Sequence, residues 1–65
     1  MSDIVKVAVD AMGGDYAPEE PVKGAVEAVN TKENLFIYLV GQESIVKKEL
    51  AKYSYPADRM EIVPA

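Results

Sequence analysis

The chain has 65 residues, is 49% hydrophobic, carries a net charge of −4, and contains no cysteine, histidine or tryptophan. This composition is too apolar for a disordered tail, rules out disulfides and the common zinc sites, and lacks the basic stripe that nucleic-acid binding needs. A domain this short buries only about 60% of the surface its unfolded chain exposes, so it is expected either to depend on more protein or to form part of something longer.

Residues 4–9, Ile4 to Val9, read as a first strand, short and rich in β-branched residues, with Lys6 as its one charged member. Asp10 to Ala17 form a loop. Helical periodicity follows, with Val22, Ala25, Val26 and Val29 at i, i+3, i+4 and i+7. Pro18 and Pro21 suit the first helical turn, where a missing N–H costs nothing, and Glu19 and Glu20 complement the positive end of the helix dipole. Glu19 also stands four residues before Lys23 in the orientation that favours an ion pair. Gly24 costs roughly 1 kcal/mol relative to alanine inside a helix, and is read as a point where the helix could approach the sheet closely.

Asn30 to Asn34 are a polar connection. Leu35-Phe36-Ile37-Tyr38-Leu39-Val40 is a continuous apolar run ended by Gly41, the pattern of a central parallel strand covered on both faces, and it places Tyr38 in the core. A second helix is predicted from Glu43 to Lys52 or Tyr53, with Val46, Leu50 and Tyr53 on one face and Lys47, Lys48 and Lys52 toward its negative end. Tyr53-Ser54-Tyr55-Pro56 breaks it, with Tyr53 and Tyr55 packing at its end, and Met60 to Val63 form a third strand. The order β-α-β-α-β implies right-handed crossovers and a parallel sheet that two helices and three strands do not finish. Residues 1–65 are therefore read as the amino-terminal portion of a single larger α/β domain with no internal boundary.

No apolar run approaches the ~20 residues that cross a bilayer, and Met1-Ser2-Asp3-Ile4 lacks the features of a signal peptide, so a cytoplasmic protein is expected.

The loop after the first strand carries the chemical signal. In open parallel sheets ligands bind at the carboxyl ends of the strands, and this loop leads from such an end into a helix N-terminus. Gly13 and Gly14 can take positive φ, and their amides, with those of the first helical turn, could cradle an anion. The same residues also serve a purely structural role: paired glycines turn a strand tightly into a helix, with Asp10 and Asp15 accepting hydrogen bonds from loop and helix-end amides. Asp10, Asp15, Glu19 and Glu20 crowd negative charge there, so residues alone favour the structural turn slightly. The G-x-G-x-x-G and G-x-x-x-x-G-K-[ST] signatures are absent, which weakens a nucleotide-binding half domain. Without histidine or cysteine, no Ser-His or Cys-His nucleophile can be assembled within the chain. Ser44 and Ser54 read as a helix-start and a turn residue. Met12 could line an apolar acyl channel, but the residues favour a core-filling role. A non-catalytic acidic interaction module is the alternative from a different class.

The run Val7-Ala8-Val9-Asp10-Ala11-Met12-Gly13-Gly14-Asp15-Tyr16-Ala17-Pro18-Glu19 resembles the opening of the bacterial phosphate acyltransferases of phospholipid synthesis. The resemblance continues through Val22-Lys23-Gly24-Ala25 and Leu39-Val40-Gly41. It implies a Rossmann-like three-layer α/β/α fold with a mostly parallel sheet, similar to isocitrate dehydrogenases, of which this chain supplies the initial β-α-β-α-β portion. The implied reaction is fatty acyl transfer from acyl-acyl carrier protein to inorganic phosphate, giving acyl phosphate, with no cofactor. The resemblance further implies a homodimer, a cytoplasmic location with peripheral membrane association, and a functional link to a membrane glycerol-3-phosphate acyltransferase. Carried over position by position, the matching residues are Asp10, Gly13, Gly14 and Asp15, with Ala11 and Met12 completing the loop. Asp10 and Asp15 become candidate catalytic residues that also hold the loop's shape, and Gly13, Gly14 and Met12 candidate substrate- and phosphate-binding residues. One departure stands out: many members carry His-Ala after the third strand, where this chain has Pro64-Ala65.

Overall fold

The computed structural model describes residues 3–65; Met1 and Ser2, part of the terminus read above as lacking a signal peptide, lie outside them. Strand β1 (Val5–Asp10), helix α1 (Glu19–Thr31), strand β2 (Leu35–Gly41), helix α2 (Glu43–Leu50), a short 3-10 turn (Ala57–Arg59) and strand β3 (Met60–Pro64) follow in that order. The strands form one sheet in the order β1-β2-β3, and both pairings are parallel. The predicted α/β class and element order hold, with the ends of the strands shifted by a residue.

The strand order dictates where the helices go. Each crossover steps one strand in the same direction, so two right-handed crossovers put both helices on one face, where α1 and α2 touch. Strand register then sorts the side chains. Val9 pairs with Leu39 and Leu39 with Ile62, so these share the helix-covered face with Ile37 and Met60. Val22, Ala25, Val26 and Val29 of α1 and Val46 and Leu50 of α2 close over it. Leu39, Val22, Val29 and Val46 are the largest fully buried side chains; each contributes about 1.5–3 kcal/mol relative to exposure. The four-residue stripe predicted for α1 is thus the one that packs.

The opposite sheet face is uncovered by the described residues. Phe36, Tyr38 and Val40 are only half-buried there, beside Lys6 and Ala8 of β1. The Phe36 and Tyr38 rings lie 5.1 Å apart, tilted at 56° to one another, with Lys6 Nζ 6.0 Å from the Phe36 ring. The continuous apolar run of β2 is therefore covered on one face by the described residues, and Tyr38 is half-buried rather than part of the core they form. Val5 and Val7 stay 52% and 40% exposed because β1 is an edge strand that the helices do not reach across.

Three local expectations change. Gly24 is exposed and a Cβ there would meet nothing within 4 Å, so it does not bring the helix close to the sheet. Glu19 and Lys23 form no ion pair; among the described residues the pairs are Lys47–Glu43 and Lys52–Glu49, each at 3.1 Å. Helix α2 stops at Leu50 because the amides of Lys52 and Tyr53 turn back to the carbonyls of Glu49 and Leu50, three residues earlier, tightening the last turn. Tyr53 and Tyr55 do pack against the core at that end.

Candidate functional site

The three strands run in parallel, so their carboxyl ends lie together, and the loop from Ala11 to Pro18 crosses that end. The way it is tied down decides which of its groups remain free. Ala11 continues the ladder, its amide donating to the Val40 carbonyl at 2.8 Å, and its side chain is fully buried. Asp10 Oδ1 then accepts a 2.9 Å hydrogen bond from the Met12 amide, and the Gly13 amide donates to the Asp10 carbonyl at 3.3 Å. This is an Asx-type turn, and it gives Asp10 the shape-holding role expected of it.

The two glycines answer different constraints. A Cβ on Gly13 would lie 3.1 Å from Asp10 Oδ2, so the carboxylate occupies the space a side chain would take. Gly14 has φ +89°, a conformation that L side chains rarely adopt, and nothing crowds it. The chain needs a glycine there to change direction toward α1.

Beyond Gly13 the backbone donors are unspent. Among the described residues, the amides of Gly14, Asp15, Tyr16 and Ala17 make no short, well-aligned hydrogen bond, although residues 15–18 themselves form a turn. The first turn of α1 offers less than its position suggests. Pro18 and Pro21 have no N–H, and the amides of Glu20 and Val22 already donate to the Tyr16 and Pro18 carbonyls, leaving only that of Glu19. Donor capacity is thus concentrated in the loop, one residue further along than the Gly13–Gly14 pair.

Asp15 behaves differently from Asp10. It is exposed, it accepts no hydrogen bond among the described residues, and helix α1 has Pro18 at its cap position with no side-chain cap bond. The capping role considered for Asp15 is absent; its carboxylate is free. Asp10, Glu19 and Glu20 are exposed as well, and no lysine or arginine among the described residues forms a salt bridge with any of these four. Tyr16 stands 75% exposed and Met12 37% exposed on the same loop. No enclosed cavity exists among the described residues; the site is an open rim of amides and carboxylates.

One participant escaped the sequence reading, which took Gly41 only as the end of β2. A Cβ there would fall 2.9 Å from Met12 Cγ, 3.2 Å from Val46 Cγ2 and 3.4 Å from Ala11 Cβ. Gly41 also accepts the Ala65 amide on its carbonyl at 3.1 Å. It is the floor on which the loop's first residues rest, and only cross-strand register reveals that.

The model of a family described as "Fatty acid synthesis protein" matches residues 5–65. The chain is 48% identical over 61 residues to the phosphate acyltransferase of Clostridium tetani, covering 94% of this chain and 18% of that protein. It is 53% identical over 58 residues to the phosphate acyltransferase of Fusobacterium nucleatum, covering 89% of this chain and 18% of that one. Identity to the Syntrophomonas wolfei phosphate acyltransferase is 54% over 61 residues, 94% of this chain and 19% of the relative. The chain thus spans less than a fifth of the length of these relatives.

Proposed function

The chain belongs to the fatty acid synthesis protein family, and on that premise we propose that it forms part of a phosphate acyltransferase that moves a fatty acyl group from acyl-acyl carrier protein to inorganic phosphate. In this reading, a phosphate oxygen attacks the thioester carbonyl, and the oxyanion of the tetrahedral intermediate collapses with cleavage of the C–S bond. The carrier leaves as a thiolate that takes up the proton the attacking hydrogen phosphate gives up, leaving acyl phosphate and the free carrier thiol. The observation that carries it is the rim of open amides from Gly14 to Ala17 at the carboxyl end of β1. Backbone N–H groups held in place suit both a bound phosphate and a developing oxyanion, because they need no reorganisation as charge develops.

Roles follow from the geometry. Gly14 supplies an open amide and the turn that presents the next three. Gly13 gives the Asp10 carboxylate room, and Met12 places an apolar side chain beside the amides, suited to an acyl substrate. Asp10 holds the loop through the Met12 amide. Asp15 is the free carboxylate, and so the better of the two candidates for proton transfer. Asp10, Asp15, Glu19 and Glu20 repel a phosphate, so cationic groups from outside these 65 residues complete the site, and this segment alone does not turn over. Homodimer formation, a cytoplasmic location with peripheral membrane association, and delivery of acyl phosphate to a membrane glycerol-3-phosphate acyltransferase belong to the same proposal. No helix among the described residues is long and apolar enough to cross a membrane. The relatives' shared name favours this reading over a non-catalytic interaction module.

The test is acyl phosphate formation by a full-length enzyme carrying this sequence. Asp10→Ala and Gly14→Ala should each reduce it sharply, and unchanged turnover in both variants would overturn the assignment of this loop.

A further inference from the structure

We propose that Gly41, at the end of β2, is a positioning residue for the β1–α1 loop: the side chain it lacks leaves the seat in which Met12 rests. This role depends on the functional reading above, since it matters only if the loop borders the reaction.

Three neighbours converge on the position a Cβ would occupy, and they differ in how far they can yield. Val46 Cγ2, at 3.2 Å, belongs to a fully buried β-branched side chain on α2 that has no free rotamer to adopt. Ala11 Cβ, at 3.4 Å, is fixed by its own burial and by the ladder bond from the Ala11 amide to Val40. Met12 Cγ is closest at 2.9 Å, and Met12 is the only one of the three with substantial exposure. A methyl group at position 41 therefore displaces Met12 rather than the core. The Met12 amide is the donor to Asp10 Oδ1, and Gly13, Gly14 and the open amides follow directly in the chain. Met12 can clear the new methyl by turning about χ1 or by carrying its backbone with it, and only the second strains the hydrogen bond that shapes the loop; the phosphate KM tells the two apart. Gly41 itself makes no contact with the open amides; it acts through Met12.

The experiment compares Gly41→Ala, Met12→Ala and the double variant in a full-length enzyme carrying this sequence, with steady-state kinetics in phosphate and in acyl donor. Gly41→Ala should raise the KM for phosphate by about tenfold, as expected when a binding loop is shifted by a fraction of an ångström. In the Met12→Ala background the same substitution should cost much less, because the tightest contact is gone. A merely structural role would lower the amount of active enzyme, and so kcat, at unchanged KM. If Gly41→Ala fails to fold, the substitution is made together with Val46→Ala, which removes the core contact and leaves the one to Met12; the phosphate KM should still rise. An unchanged phosphate KM, or losses that simply multiply in the double variant, overturns the positioning role alone. A wild-type enzyme that forms no acyl phosphate overturns the functional reading itself.

Discussion

The two ends of the sheet are built on opposite principles. At the end where the strands begin, polar groups are tied across the fold. Arg59, just before β3, donates from Nη1 to the Lys32 carbonyl at 2.6 Å and from Nη2 to the Val29 carbonyl at 3.0 Å. These carbonyls lie at the C-terminal end of α1, which has no basic residue in its own last turn, so a residue about thirty positions away caps and charge-complements it. Asn30 reaches the Ser54 carbonyl at 3.0 Å, and the Val5 amide donates to Asn34 at 2.7 Å. Where the strands end, the loop leaves four consecutive amides open, four carboxylates without salt bridges, and a helix start without a side-chain cap. One end is organised for stability. The other leaves its hydrogen-bonding capacity unspent among the described residues.

That contrast can be tested at both ends. The largest effect is expected at the open end, where Gly14→Ala and Asp10→Ala in the full-length enzyme should lower the rate of acyl phosphate formation by about a hundredfold, the cost of a reacting group misplaced by roughly an ångström. Asp10→Asn sharpens the point. An amide oxygen can still accept from the Met12 N–H, so a residue that holds shape should keep most of its rate as asparagine, whereas one that works through its charge should not. At the closed end, Arg59→Ala should lower unfolding stability by about 1–3 kcal/mol through lost charge-assisted hydrogen bonds, with the rate per folded molecule unchanged. A fall in that rate would show that the two ends are not separable.

Away from both ends, smaller effects follow from the helices. Gly24→Ala should stabilise by about 0.5–1 kcal/mol, since the position is exposed within α1 and nothing lies where the methyl would go; loss of stability in a denaturant titration would contradict this. Glu49 on α2 is buried, and its Oε2 has no hydrogen-bond partner among the described residues. Its other oxygen accepts from Lys52, and that hydrogen bond, with the charge of Glu49, raises the Lys52 pKa above 10.5. The pair's contribution is complete below that pH and is lost as pH rises through the higher folded-state value. Glu49→Met should leave the melting temperature near neutral pH equal or slightly higher, and should remove the alkaline loss.

Much of the fold was legible in the amino-acid sequence because short-range pattern sets it. The period of Val22, Ala25, Val26 and Val29 defines the buried stripe of α1, and alternation of strand and helix defines a parallel sheet. The Asp10–Pro18 run is equally local: a strand end, two glycines and a proline-led helix start. Tertiary structure decided what pattern cannot carry. The apolar run of β2 looks the same whether one face or both are covered, and only strand order shows that both helices lie on one side, leaving Phe36 and Tyr38 half-exposed. Arg59 capping α1 and Gly41 seating Met12 join residues about thirty positions apart. Such contacts exist only once strand register has fixed which chain segments meet. The free amides from Gly14 to Ala17 follow the same logic, because a donor is open only relative to every partner the folded chain could have brought to it.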